Sequence, residues 1–126
     1  MIRKNAELSE MPFVDDKHKE TYVTIMHLMK SNNPEHAALA YLIALINAPI
    51  HSCFDFENDQ AKLDAVDCSW VTGSSERVLK LAFNLWNFLN PADVSDVFSY
   101  GSYEYGEYMF YAIKIRFELV NYHRVK

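Results

Sequence analysis

Thr72-Gly73-Ser74-Ser75 stands immediately before an almost wholly apolar stretch that stops at Asn90-Pro91. A small, hydroxyl-rich turn at a helix N-terminus offers unpaired backbone N–H groups to an anion, and the helix dipole favours negative charge there. Arg77 and Lys80 follow one turn further in. Thr72, Gly73, Ser74, Ser75, Arg77 and Lys80 therefore form a candidate site for a phosphate or carboxylate ligand. The turn is not a P-loop, because the nucleotide fingerprint spacing is missing and no lysine follows a second glycine. The plainer reading makes Ser74 or Ser75 an N-cap and Gly73 a turn residue.

Three other groups of residues could carry chemistry. A histidine beside a cysteine favours the thiolate, so His51, Cys53 and the more distant Cys68 could serve a nucleophile or, with an acid, a zinc ion. The paired cysteine spacing of zinc sites is absent, and inert buried thiols are the expectation. Asp55-Phe56-Glu57-Asn58-Asp59 carries acids at the first, third and fifth positions of a calcium loop, but Gln60 replaces the required glycine and Val66 the bidentate glutamate. That pattern fails. Finally, Tyr100, Tyr103, Tyr105, Tyr108 and Tyr111 are five of the eight tyrosines. Tyrosine gives large contact area with a polar tip, so this segment is the candidate interface, set against packing at the edge of the core. Stacking on nucleic-acid bases is a further use of such rings, but the acidic balance of the chain opposes it.

The elements that must position these residues are helical. Asp15 or Asp16 opens a helix running to about residue 30, with Tyr22, Ile25, Met26 and Met29 on one face and Lys17, Glu20, Thr24 and His27 on the other. Asn33-Pro34-Glu35 is an N-terminus, followed by ten apolar residues from Ala37 to Ile46, with Pro49 as the stop. A helix apolar all round must be central. Between Ile50 and Val71 the period fades and short helical turns are expected, one beginning at Asp55. The next helix spans about Ser75–Leu89, with Arg77, Lys80, Asn84 and Asn87 as its polar stripe and the remainder, Phe88 and Leu89 included, as core. A short helix or turn surrounds Val94, Val97 and Phe98. The last element, about Glu104–Val120, suits a helix through Met109, Ala112, Ile113, Phe117 and Val120. It also alternates like a strand at Ile113, Ile115, Phe117 and Leu119. Helix is preferred because a lone strand has no partner.

Bulk properties narrow the class. The 126 residues suit one domain, half of them are apolar, and only three glycines and four prolines are present, which favours a few helices over many turns. The net charge of −5 disfavours a nucleic-acid partner. Two cysteines make no disulfide framework, no signal peptide opens the chain, and the apolar runs are too short for a membrane span, so a cytoplasmic location is expected. Acids concentrate at residues 55–67, and the C-terminal end carries Lys114, Arg116, Arg124 and Lys126.

The order of these pieces resembles an uncharacterised family of small Firmicute, prophage-associated proteins. The matching residues are Asp16-Lys17-His18-Lys19 with Tyr22, Ala38 to Ala44, Asp55-Phe56, Trp70 to Ser75, Leu81 to Asn87, and Tyr111 to Arg116. The resemblance implies a single helical domain in a bacterial or phage setting and carries no assigned activity.

The expectation is an all-α, single-domain bundle of about four to five helices around two central apolar ones, covering residues 1–126 with 1–12 mobile. The expected function is a non-enzymatic interaction or regulatory module without cofactor or metal, whose partner is another protein or a second copy forming a homodimer. The alternative is a small anion-binding protein built on Thr72–Ser75.

Overall fold

In the computed structural model, which describes residues 6–99 and 103–124, the helices are α1 (Asp16–Leu28), α2 (Pro34–Leu45), α3 (Ile50–Cys53), α4 (Gly73–Asn87), α5 (Val94–Val97) and α6 (Tyr103–Arg116). Two short strands, β1 (Phe54–Asp55) and β2 (Gln60–Ala61), pair antiparallel, with Phe54 opposite Ala61 and Asp55 opposite Gln60. The architecture is mainly α in a single domain, as composition implies.

α2 is its axis. Every residue from His36 to Leu45 is buried, and α1, α4 and α6 pack around it. Ala37, Ala38, Ala40 and Ala44 present no bulk, which lets the neighbouring backbones come close. Leu39, Tyr41, Leu42 and Ile43 fill the spaces between them. Burying each large side chain stabilises the fold by roughly 1.5–3 kcal/mol, so this one helix organises most of the core.

Local chemistry sets the boundaries. Asp15 caps α1 by accepting the His18 N–H at 2.8 Å. Pro34 opens α2 at a position where its missing N–H costs nothing. Pro49 does not end α2, contrary to expectation. The helix closes earlier, at Asn47, whose φ of 50° turns the chain into the left-handed region. The Asn47 N–H then reaches the Ala44 carbonyl and the Ala48 N–H reaches Ile43, satisfying two orphan acceptors. Pro49 instead precedes α3. α6 ends by the same motif: Glu118 has φ 57°, and the Glu118 and Leu119 N–H groups bond to Ile115 and Lys114. The last element is therefore a helix that stops at Arg116, short of Val120.

Asp55 heads the β1–β2 turn rather than a helical one. Its carboxylate accepts from the Glu57 and Asn58 backbone N–H groups at 3.1 and 3.2 Å and from the Asn58 side-chain amide at 2.7 Å. Those bonds, the Asn58 amide's first, hold the carboxyl below the usual range. The start of the chain, whose lack of period marks it as mobile, is tied down from Ala6 onward. Ala6 and Met11 are buried, the Ala6 N–H bonds to Tyr122, and the Tyr41 hydroxyl donates to the Pro12 carbonyl.

Candidate functional site

The Thr72 turn spends its hydroxyls on itself. Thr72 Oγ1 accepts the Ser75 N–H at 3.3 Å while the Thr72 N–H donates to Ser75 Oγ at 2.7 Å, a reciprocal capping box. The N-cap is thus Thr72, two or three residues ahead of the expected Ser74 or Ser75, because of these three only Thr72 lies three residues before a side chain that can answer it. Gly73 begins the helix and Ser74 follows within it. Lys80 bonds to Glu76 at 3.1 Å and lies 3.7 Å from Asp96, and these carboxylates, Glu76 first, raise its pKa. Arg77 folds back over the first turn: a Cβ on Gly73 would stand 3.9 Å from its guanidinium. So the six residues are together at one helix start, with the hydroxyls of Thr72 and Ser75 and the charge of Lys80 already partnered.

The thiol candidates are not activated: Cys53 is buried and Cys68 half-buried. Burial, reinforced by Cys68, pushes the Cys53 thiol up to about 12, far from a thiolate at neutral pH. His51 is exposed with its ring against Phe56 at 5.4 Å. Among the described residues, no group of three or more His, Cys, Asp or Glu could hold a metal ion.

Two buried histidines have roles that the sequence hides. His18 lies among Phe13, Tyr41 and Tyr108, with ring centroids 4.9, 4.7 and 6.0 Å away. Its Nδ1 accepts the Val14 N–H at 3.1 Å, so Nε2 carries the proton and donates to the Tyr41 carbonyl at 3.0 Å. Burial holds its pKa down at about 4 against the Tyr41 bond and Asp15, so this ring is a neutral structural pin. His36 Nε2 meets the Asp59 carboxylate at 2.9 and 3.2 Å, tying the β1–β2 turn to α2. A histidine–carboxylate pair is also part of a catalytic triad. Here no nucleophile answers it: His36 Nδ1 is buried without a hydrogen-bond partner among the described residues.

The tyrosine segment and its surroundings form the most distinctive surface. Tyr100 lies outside the described residues, and Tyr103 is the first residue of α6. Tyr105, Tyr108 and Tyr111 are partly buried at the rim of the core. Tyr111 packs on Tyr41 at 5.5 Å and donates to the Asn121 carbonyl at 3.3 Å. Burial raises the pKa of both Tyr105 and Tyr111, so these phenols stay neutral. Tyr108 and Tyr111, with Pro12, Glu107, Phe110 and Lys114, line a surface hollow of about 350 Å³.

Beside these tyrosines stand phenylalanines that belong in a core by residue type alone. Phe110 and Phe117 are each 55% exposed, Phe88 51% and Leu89 84%. Phe88 and Leu89 are therefore not core, as helical spacing suggests they should be. α4 ends at Asn87, and Phe88 adopts φ 61°, which swings its side chain away from the buried face. The Phe88 and Phe117 rings stack at 5.7 Å, nearly parallel at 13°. The Arg116 guanidinium lies 4.1 Å over Phe88, while its Nε donates to the Leu85 carbonyl at 2.5 Å, capping the α4 C-terminus. Asn87 Oδ1 accepts from the Leu89 and Asn90 N–H groups, and Asn84 Nδ2 donates to the Asn90 carbonyl at 2.7 Å. The asparagines of the polar stripe thus latch the turn that holds Phe88 and Leu89 outward. Lys114 sits 4.9 Å over the Phe110 ring, and helical period puts Phe110, Lys114 and Phe117 on one face.

The chain belongs to DUF6075, a family of unknown function, which matches residues 8–125. No curated protein and no solved structure is matched by the chain.

Proposed function

We propose that this member of the family is a non-enzymatic interaction module that associates with a second copy of itself through the outer face of α6 and the adjoining end of α4. One observation carries the reading: Phe88, Leu89, Phe110 and Phe117 are all at least half exposed on neighbouring surface, and an asparagine latch holds the turn between two of them in place. Exposed aromatic patches rimmed by charge mark contact sites, and a phenylalanine held at positive φ costs about 1–2 kcal/mol. The tyrosine segment extends this contact surface. The setting that fits the resemblance is the cytoplasm of a Firmicute, with a prophage origin, and among the described residues no helix is long and apolar enough to cross a membrane.

Native mass spectrometry of the purified chain tests the proposal, with a dimer expected beside the monomer at micromolar concentration. A strict monomer with no bound protein would overturn it. The second reading, an anion site at Thr72–Ser75, draws support from Arg77 lying over Gly73. Its test is a rise in thermal stability with phosphate, nucleotides or phosphosugars that disappears in Arg77→Ala.

A further inference from the structure

Resting on the self-association proposed above, the pattern of α6 points to one pairing in particular. We infer that two copies pair their α6 helices antiparallel about a two-fold axis passing between Phe110 and Tyr111. Charge is the first argument. Glu107 and Lys114 lie equidistant from that axis on the outer face, so Glu107 of each copy meets the partner's Lys114. Among the described residues neither side chain joins an ion pair within its own chain. A parallel pairing would instead set glutamate on glutamate and lysine on lysine, a repulsion that rejects it. The seven-residue step from Glu107 to Lys114 rises about 10.5 Å along the helix, which leaves room between the ion pairs for two aromatic rings.

Shape is the second argument. The hollow of about 350 Å³ lies directly between those charges, lined by Tyr108, Phe110, Tyr111 and Pro12. A cavity of roughly 150 Å³ suffices for a benzene ring, so the hollow accepts the partner's Phe110. By symmetry each Phe110 fills the other copy's hollow, and the half-exposed ring is buried on association. The same register carries Phe117 toward Glu104 of the opposing helix, at the edge of the contact. α6 is 14 residues long, about 21 Å, and one such helix pair buries less than the ~1,200 Å² of a standard interface. The dimer is therefore weak and salt-sensitive, governed by the two ion pairs and the two rings.

Charge exchange tests this register. Sedimentation equilibrium of Glu107→Lys and of Lys114→Glu should each show dimerisation weakened by about tenfold or more, and the double variant, with both charges reversed, should recover to within about threefold of wild type. A second readout uses cross-linking in a Cys68→Ser background. Phe110→Cys should form a disulfide-linked dimer by itself, because position 110 lies next to the axis. Glu107→Cys should not, yet should cross-link when mixed with Lys114→Cys. A dimer that ignores both charge reversals, or that cross-links through Glu107→Cys alone, overturns the antiparallel register while leaving self-association standing. A wild-type chain that stays monomeric overturns both.

Discussion

The two ends of α4 treat their side chains in opposite ways. At the start, Thr72 and Ser75 bond reciprocally and Lys80 rests between Glu76 and Asp96, so nearly every polar group in view has a partner. At the finish, a phenylalanine occupies left-handed backbone, a leucine stands 84% exposed, and three asparagines hold that arrangement in place. The residues that look chemical are occupied with folding. The residues that look structural are left over for something else. α6 repeats the contrast across its width: Met109, Ala112 and Ile115 are buried, while Phe110 and Phe117 face outward.

This contrast between settled and unsettled groups can be broken by measurement, beginning with the largest effect. His18 is the most settled polar group of all. Its folded pKa of about 4 lies below the 6.5 of the unfolded chain, so unfolding takes up a proton between those values and stability must fall as pH drops through that window. The loss should reach about 3 kcal/mol by pH 4 in urea titrations. His18→Gln should flatten that slope; an unchanged slope would remove His18 as its source. Next comes the cap: Thr72→Ala should cost about 1 kcal/mol, a fall of roughly 4 °C in Tm for a domain of this size. A neutral result would mean the capping box contributes nothing and would free the turn for another role.

The unsettled groups should behave differently. Phe88→Gly relieves the left-handed backbone and should stabilise the monomer by up to about 1 kcal/mol while weakening association. If it destabilises the monomer instead, the Phe88–Phe117 stack is part of the fold and not of a contact. Phe110→Ser should change monomer stability by less than about 0.5 kcal/mol, as exposed substitutions do, yet reduce dimerisation.

The sequence makes the axis of the fold legible and hides its exposed aromatic face. α2 is plain because Asn33-Pro34-Glu35 opens an unbroken apolar run, and both signals are local. The Glu76–Lys80 pair follows from spacing alone and is present at 3.1 Å. The end of α6 is harder, since Ile113 to Leu119 satisfies the period of a helix and of a strand, and only the positive φ at Glu118 decides where it stops. His18 and His36 give no local sign, because each bonds to a group 23 positions away. The exposure of Phe88, Leu89 and Phe117 is hidden for a different reason: hydrophobicity reports a preference for burial, not what does the burying. A glycine-free helix end at Asn87-Phe88-Leu89 was the available hint, since a helix closing without glycine needs some other residue to take the left-handed turn.

Self-association through the aromatic face is the claim on which the functional reading depends, and sedimentation velocity of wild type beside Phe110→Ser tests it most directly. The wild-type sedimentation coefficient should rise with concentration across the micromolar range. That of Phe110→Ser should stay near the monomer value, with far-UV circular dichroism unchanged. A wild-type chain that sediments as a monomer throughout, or a Phe110→Ser variant that associates just as well, would contradict it.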